Sequence, residues 1–422
     1  MLNQEYSELT IQMTRQLTKA VKKAEGIFIT PQSIIRLFVT RVNEFVQSTN
    51  LTVQHILEPS CGTCEFIHHL STVYKESHIC GVEMNSTIFE NIVNIGFNPN
   101  QVSLINGNFM NHSVENVHLA EKGQQYDLII GNPPFVVIKK DDVPPQYQEY
   151  AIGRPNIFGL FIVHALTLLK ENGILSFIVP KSFLNSAYYS KIRELIKSTC
   201  QILDIIDYKH LNLFIDTDQD TFGLIIQKKR SSASCAYSYL VNQSYIFTND
   251  AAKLRVLFEG STTLQKMGLF VKTGSIVWNE HKPLLSEDSS QTLLLYNSNI
   301  SNKNTVEIKT FKNGEKKQYI NLETLKYEPA SGCCIVVNRG NGNSAYKLNY
   351  ALIQLDTKYI AENHLNVIDF IDKDISHEKK TEVFHKIVAS FKNAKTQEFI
   401  ELFLGNNGLS KTELETIFPI YV

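Results

Sequence analysis

The sequence predicts an α/β protein: a seven-stranded, mostly parallel sheet with helices on both faces, followed by a second, mixed α+β domain. Three observations carry this. Seven short apolar runs, at residues 53–57, 79–82, 102–105, 126–130, 174–179, 202–206 and 221–227, alternate with helix-like stretches such as 64–74, 158–169 and 187–198. Alternation of that kind folds as parallel strands joined by crossover helices, and ligands then bind at the carboxyl ends of the strands. Past a polar stretch at 228–234 the pattern changes to short possible strands, scattered Asn and Gly, and a helical close over about 378–403. The domains expected are 1–240 and 241–422, without internal repeats.

Composition narrows the function classes. A chain of 422 residues, 43% hydrophobic and 20% charged, supports two separate cores. Its net charge of −1 excludes bulk attraction to a polyanion, so any nucleic-acid surface must be a local patch. No apolar run reaches the roughly 18 residues that span a bilayer, and the first residues are polar and amphipathic; no membrane association and a cytoplasmic location are expected. Seven cysteines at irregular spacing describe no disulfide framework, in keeping with a reducing compartment.

From the N-terminus, Leu9, Met13, Leu17 and Val21 recur at helical spacing, and after Gly26 a helix start is expected with Thr30 as cap and Pro31 at its first position. The first strand runs into Glu58, Pro59, Ser60, Cys61, Gly62 and Thr63. Small residues there let the backbone approach a ligand, and the N–H groups of the following helix favour an anionic group such as a methionine carboxylate. A ligand-free strand-to-helix turn is the alternative. The second strand ends in Glu83, placed to accept two hydrogen bonds from ribose hydroxyls; a solvated strand-end acid is the other reading.

The most informative stretch is the fourth strand, which passes through Gly131 into Asn132, Pro133, Pro134 and Phe135. Two successive prolines fix two φ angles and remove two donors, giving a rigid turn rich in acceptors. The Asn132 side-chain oxygen and the Pro133 carbonyl are suited to accept the two N–H bonds of an exocyclic amine, with Phe135 stacking on the base. A cis-proline turn at a sheet edge is the bland alternative.

In their order along residues 26–229, these segments resemble the gamma-class N6-adenine DNA methyltransferases of restriction-modification systems, the group typified by the Taq enzyme. The resemblance implies a Rossmann-like methyltransferase sheet and S-adenosylmethionine as cofactor. It implies roles for Thr30, Ser60 and Cys61 near the methionine part, for Glu83 on the ribose, and for Asn108, Phe109, Pro134 and Phe161 around the adenine. Glu58, Pro59 and Gly62 complete the cofactor loop. Asn132 to Phe135 would catalyse transfer to a flipped-out adenine in duplex DNA, with Phe214 stacking on its far face. Neither a metal nor a covalent nucleophile is implied. Two positions depart from the family pattern. Cys64 stands where Gly is usual, so its side chain crowds the cofactor, or strains the backbone if φ must be positive. Asn108 stands where Asp is usual, its oxygen still able to accept.

Residues 253–347 carry 13 basic against 8 acidic side chains, densest at Lys309, Lys312, Lys316 and Lys317; a solvated hairpin is the alternative to phosphate contact. Asn338 and Arg339, like the segment 274–279, offer groups suited to base edges in a recognition domain. The expected partner is double-stranded DNA, with the protein a monomer of bacterial or viral origin and a cognate restriction endonuclease acting separately. A protein-glutamine methyltransferase and an inactive DNA-binding subunit of the same fold are the alternatives.

Overall fold

The computed structural model describes residues 5–27, 29–111, 125–208, 220–230, 236–311, 314–340, 346–404 and 408–422. They fall into two compact units, 1–239 with 245–251, and 240–244 with 252–422.

The first unit opens with helices α1 (Glu8–Gln16), α2 (Lys19–Glu25) and α3 (Gln32–Ser48). The apolar spacing of residues 9–21 is thus split in two, because the Thr18 hydroxyl accepts from Val21 N and starts a new helix. There follow β1 (His55–Glu58), α4 (Glu65–Val73), β2 (His78–Glu83), α5 (Ser86–Ile92), β3 (Val102–Asn106) and β4 (Tyr126–Gly131). The unit continues with α6 (Ile157–Leu168), β5 (Leu169–Pro180), α7 (Ser190–Thr199), β6 (Gln201–Asp207) and β7 (Thr221–Gln227). The seven strands form one sheet in the order β3-β2-β1-β4-β5-β7-β6. It is parallel apart from β7, which runs antiparallel to β5 and β6.

Each strand feeds two cores. Leu57, Cys80, Ile129 and Leu175 pack on one face with α6 and α7, whereas their neighbours Ile56, Ile79, Leu128 and Ile174 pack on the other with α3 and α4. Burial on both faces is why these strands read as continuous apolar runs. It also makes α6 apolar all round, with ten of its twelve residues buried. Strand order reverses between β1 and β4, so the crevice of the sheet opens at their carboxyl ends. At the opposite end of β4, buried Asp127 anchors β1: its Oδ2 accepts from Gln54 N at 3.0 Å and His55 N at 2.9 Å, and its Oδ1 pairs with Lys170 Nζ at 2.7 Å.

The hairpin strands β8 (Ser238–Val241) and β9 (Ser244–Phe247) precede α8 (Ala251–Phe258). The second unit then adds strands β10 (Leu269–Thr273), β11 (Leu285–Ser286), β12 (Thr292–Leu295), β13 (Tyr319–Ile320), β14 (Ala330–Asn338), β15 (Tyr350–Ala361) and β16 (Leu365–Phe370). Their sheet runs β10-β16-β14-β15-β12-β13-β11 and is antiparallel except for the β12–β15 pair. The helical close is two helices, α9 (His377–Phe391) and α10 (Ala394–Phe403), because Asn393 caps the second through Lys395 N; α11 (Lys411–Thr416) follows. No helix among the described residues is long and apolar enough to cross a membrane.

Asp127→Ala leaves two backbone donors and Lys170 without their acceptor. It is expected to cost about 2–3 kcal/mol in urea unfolding; a wild-type midpoint would contradict the anchoring role.

Candidate active site

At the carboxyl ends of β1, β2 and β4 lies a cavity of about 280 Å³. From the turn after β1 it is lined by Glu58, Pro59, Ser60, Cys61 and Gly62, and from the end of β2 by Glu83 and Met84. Asn108 and Phe109 come from the segment after β3, Asn132 and Pro134 from the turn after β4, and Phe161 from α6. Gly26 and Thr30 line it from the segment between α2 and α3. All the cofactor candidates therefore share one cavity.

The polar side is built from carboxylates and loop amides. Glu83 is buried, and its Oε2 accepts from Gly62 N at 2.9 Å and its Oε1 from Asn85 N at 2.7 Å. Burial raises its pKa above the ordinary 4.5, opposed by those two amides. Glu58 is pushed well above the usual carboxylate range, first by complete burial and then by the neighbouring Cys64, Glu83 and Glu65. Its Oε2 has no hydrogen-bond partner among the described residues. A buried acceptor of this kind beside a cavity calls for a donor or a cation, and the ammonium and sulfonium of S-adenosylmethionine are of that type. On the apolar side the Phe109 and Phe161 rings lie 4.7 Å apart, giving flat surfaces for a purine. The residues present fit that cofactor.

The two departures from the family pattern resolve differently. Cys64 has φ +66°, the left-handed conformation glycine adopts freely, so the backbone carries the strain. Its side chain is fully buried in the core behind α4 and does not line the cavity, so the crowding expected from the sequence does not occur. The Asn108 Oδ1 accepts from Met110 N at 3.0 Å and shapes the turn before Phe109. The thiol of Cys61 is raised well above 9.0 by its contact with Cys64 and then by burial. Among the described residues no His, Cys, Asp or Glu group is placed to hold a metal ion.

The turn after β4 lies on a central strand, not at a sheet edge. Ser60 Oγ donates to the Asn132 carbonyl at 3.1 Å, and Asn132 Nδ2 donates to Thr30 Oγ1 at 3.1 Å. The sequence casts Thr30 as a helix cap; instead Pro31 takes the cap position and the Thr30 hydroxyl faces the Asn132 amide. Pro133 is buried, and Phe135 packs edge-on against Phe158 with centroids 5.9 Å apart. Phe214 lies outside the described residues. Gly26, missed as a site residue, backs this turn: a Cβ there would sit 2.6 Å from Val136 Cγ2 and 2.8 Å from Phe135 N, and its φ is +65°. Its sequence signals are a glycine ending a helical run and its place at the start of the segment 26–31 that resembles the family's N-terminal cofactor motif.

Residues 67–214 match the family model described as Eco57I restriction-modification methylase. Over 99% of both chains, the protein is 28% identical to the modification methylase CviBIII of Paramecium bursaria Chlorella virus NC1A. It is 26% identical, again over 99% of both, to the type II methyltransferase M.CvrRI of Paramecium bursaria Chlorella virus XZ-6E. The chain is a homologue of restriction-modification methyltransferases. Among solved structures, the type I restriction-modification methyltransferase subunit from Streptococcus thermophilus has a TM-score of 0.40 at 18% identity, covering 56% of this chain and 53% of that one.

In this methyltransferase homologue the second unit uses several of its candidate DNA-contacting groups internally. Asn338 is buried, its Nδ2 donating to Lys347 O and its Oδ1 accepting from Tyr346 OH and Asn349 N. Arg339 donates to Asn363 O at 2.9 Å. Lys316 lies 4.8 Å from the ring centre of Trp278 and 5.1 Å from that of Tyr296, and the Lys317 carbonyl accepts from Tyr296 OH. Lys309 is exposed, and Lys312 lies outside the described residues.

Two outcomes check the site. Gly26→Ala combines a clash with a positive φ and is expected to destabilise the first unit by about 1–3 kcal/mol; an unchanged unfolding midpoint would refute the close approach. For Glu58, the unfolded chain releases its proton near 4.5 while the folded chain keeps it, so stability falls as pH rises above 4.5 toward the raised value. Ligand-free Glu58→Gln is expected to exceed wild type in stability by a margin that grows with pH. A margin constant between about pH 4 and 8 would contradict the raised pKa.

Proposed function

We propose that the protein methylates N6 of adenine in duplex DNA, using S-adenosylmethionine, as the modification enzyme of a restriction-modification system. The observation that carries this is the Asn132–Phe135 turn, braced by Ser60 and Thr30, on the wall of a cavity suited to a nucleoside with a charged tail.

When bound, S-adenosylmethionine supplies an electrophilic methyl group on a sulfonium. The Asn132 side-chain oxygen and the Pro133 carbonyl accept the two N–H bonds of the target amine. This directs the nitrogen lone pair at the methyl group and stabilises the positive charge that develops on nitrogen. Phe135 stacks on a base rotated out of the duplex, which costs a few kcal/mol of unstacking. Glu83 holds the ribose, Phe109 and Phe161, packed against each other, line one side of the cofactor's adenine, and Ser60 and Gly62 face its methionine end. The second unit serves target recognition, with Lys309 at a phosphate and the protein acting as a monomer. Two relatives that match over 99% of their length, second unit included, are named a modification methylase and a type II methyltransferase, which favours DNA over a protein substrate.

Labelled methyl from S-adenosylmethionine, transferred to mixed duplex DNA and traced after digestion to nucleosides, is expected in N6-methyl-2′-deoxyadenosine. Asn132→Ala is expected to lower that signal about a hundredfold or more. Label in N4-methylcytosine or only in protein would overturn the assignment.

A further inference from the structure

The Asn132 amide can do its work in only one of two orientations. Its oxygen edge accepts from an amine; turned over, the same amide offers its own N–H groups to the amine's N–H bonds and repels them. The two faces of an amide are nearly equal in shape, so sterics choose poorly between them, and the choice falls to a hydrogen bond. The Asn132 nitrogen donates to Thr30 Oγ1 at 3.1 Å, from a position 102 residues earlier. Thr30 is itself buried, at 5% exposure, and lines the same cavity.

We propose that Thr30 is a positioning residue for methyl transfer: by accepting from Asn132 Nδ2 it fixes the amide with its oxygen edge as the acceptor. The inference rests on the amine-methylation reading above. Ser60 secures the other end of the residue, holding the main-chain carbonyl at 3.1 Å. The Asn132 oxygen is buried in this state, so an entering amine must displace what lies against it. The Thr30 bond keeps the amide from turning over as that exchange occurs. The hydroxyl is a better device here than a backbone carbonyl, because it accepts from Asn132 while its own proton remains available to another acceptor in the cavity.

The role separates from cofactor binding in steady-state kinetics on duplex DNA, with wild-type transfer measured alongside. Thr30→Val keeps the shape and loses the acceptor. It is expected to lower kcat about tenfold while KM for S-adenosylmethionine changes less than about twofold. Thr30→Ser, which keeps the hydroxyl, is expected to stay within about threefold of wild type. S-adenosylhomocysteine binding and thermal melting report whether Thr30→Val is folded. If it is not, Thr30→Ser decides, since a tenfold loss in a folded protein that retains the hydroxyl overturns the proposal. A raised KM for S-adenosylmethionine with kcat intact also overturns it, and would make Thr30 a cofactor contact. Wild-type protein that transfers no methyl to DNA would instead defeat the functional reading itself.

Discussion

The carboxyl end of β4 is where separate parts of the chain are forced together. Two prolines remove donors there and fix the backbone, so the turn cannot adapt to its surroundings and the surroundings must be built to it. Ser60 reaches it from the turn after β1, Thr30 from the segment before α3, and Gly26 closes on it with no room for a side chain. The parallel sheet makes this possible because β1, β2 and β4 lie side by side with their carboxyl ends in register.

A second constraint is electrostatic. Glu58, Glu65 and Glu83 are all buried around the turn after β1. Glu65 is satisfied within the fold: its Oε1 accepts from Ser7 N at 3.0 Å and Thr10 Oγ1 at 2.5 Å, and its Oε2 from Gln32 Nε2 at 3.2 Å. That network ties α1 and α3 to the start of α4, and so fixes the wall of the cavity that carries Thr30. Glu83 is held by two amides, and Glu58 keeps one oxygen that no hydrogen bond from the described residues satisfies.

The sheet was legible because strands covered on both faces keep their apolar runs whatever helices cover them, and the runs before Glu58, Glu83 and Asn132 end where the strands end. The cavity lining from the turns after β1 and β2 was legible as small or acidic residues at strand ends. Gly26 and the partners of Glu65 were not, since their significance lies in contacts with residues such as Phe135 and Thr10, far away in sequence. The same holds for Thr30, whose local pattern reads equally well as a helix cap. In the second unit, residue type alone did not reveal the internal contacts: Asn338 and Lys316 have the chemistry of nucleic-acid contacts, and in the fold the one bonds to Lys347 and Asn349 while the other lies over Trp278 and Tyr296. Short antiparallel strands such as β11 and β13, two residues each, leave no periodicity to read.

The account depends on one cavity serving the nucleoside cofactor and abutting the Asn132 turn. Hydrogen exchange with and without S-adenosylhomocysteine tests this directly. Slower exchange confined to residues 58–65, 83–85, 107–109 and 131–136, together with 24–30, is the expected result. Protection appearing in the second sheet, or none around residues 131–136, would contradict it.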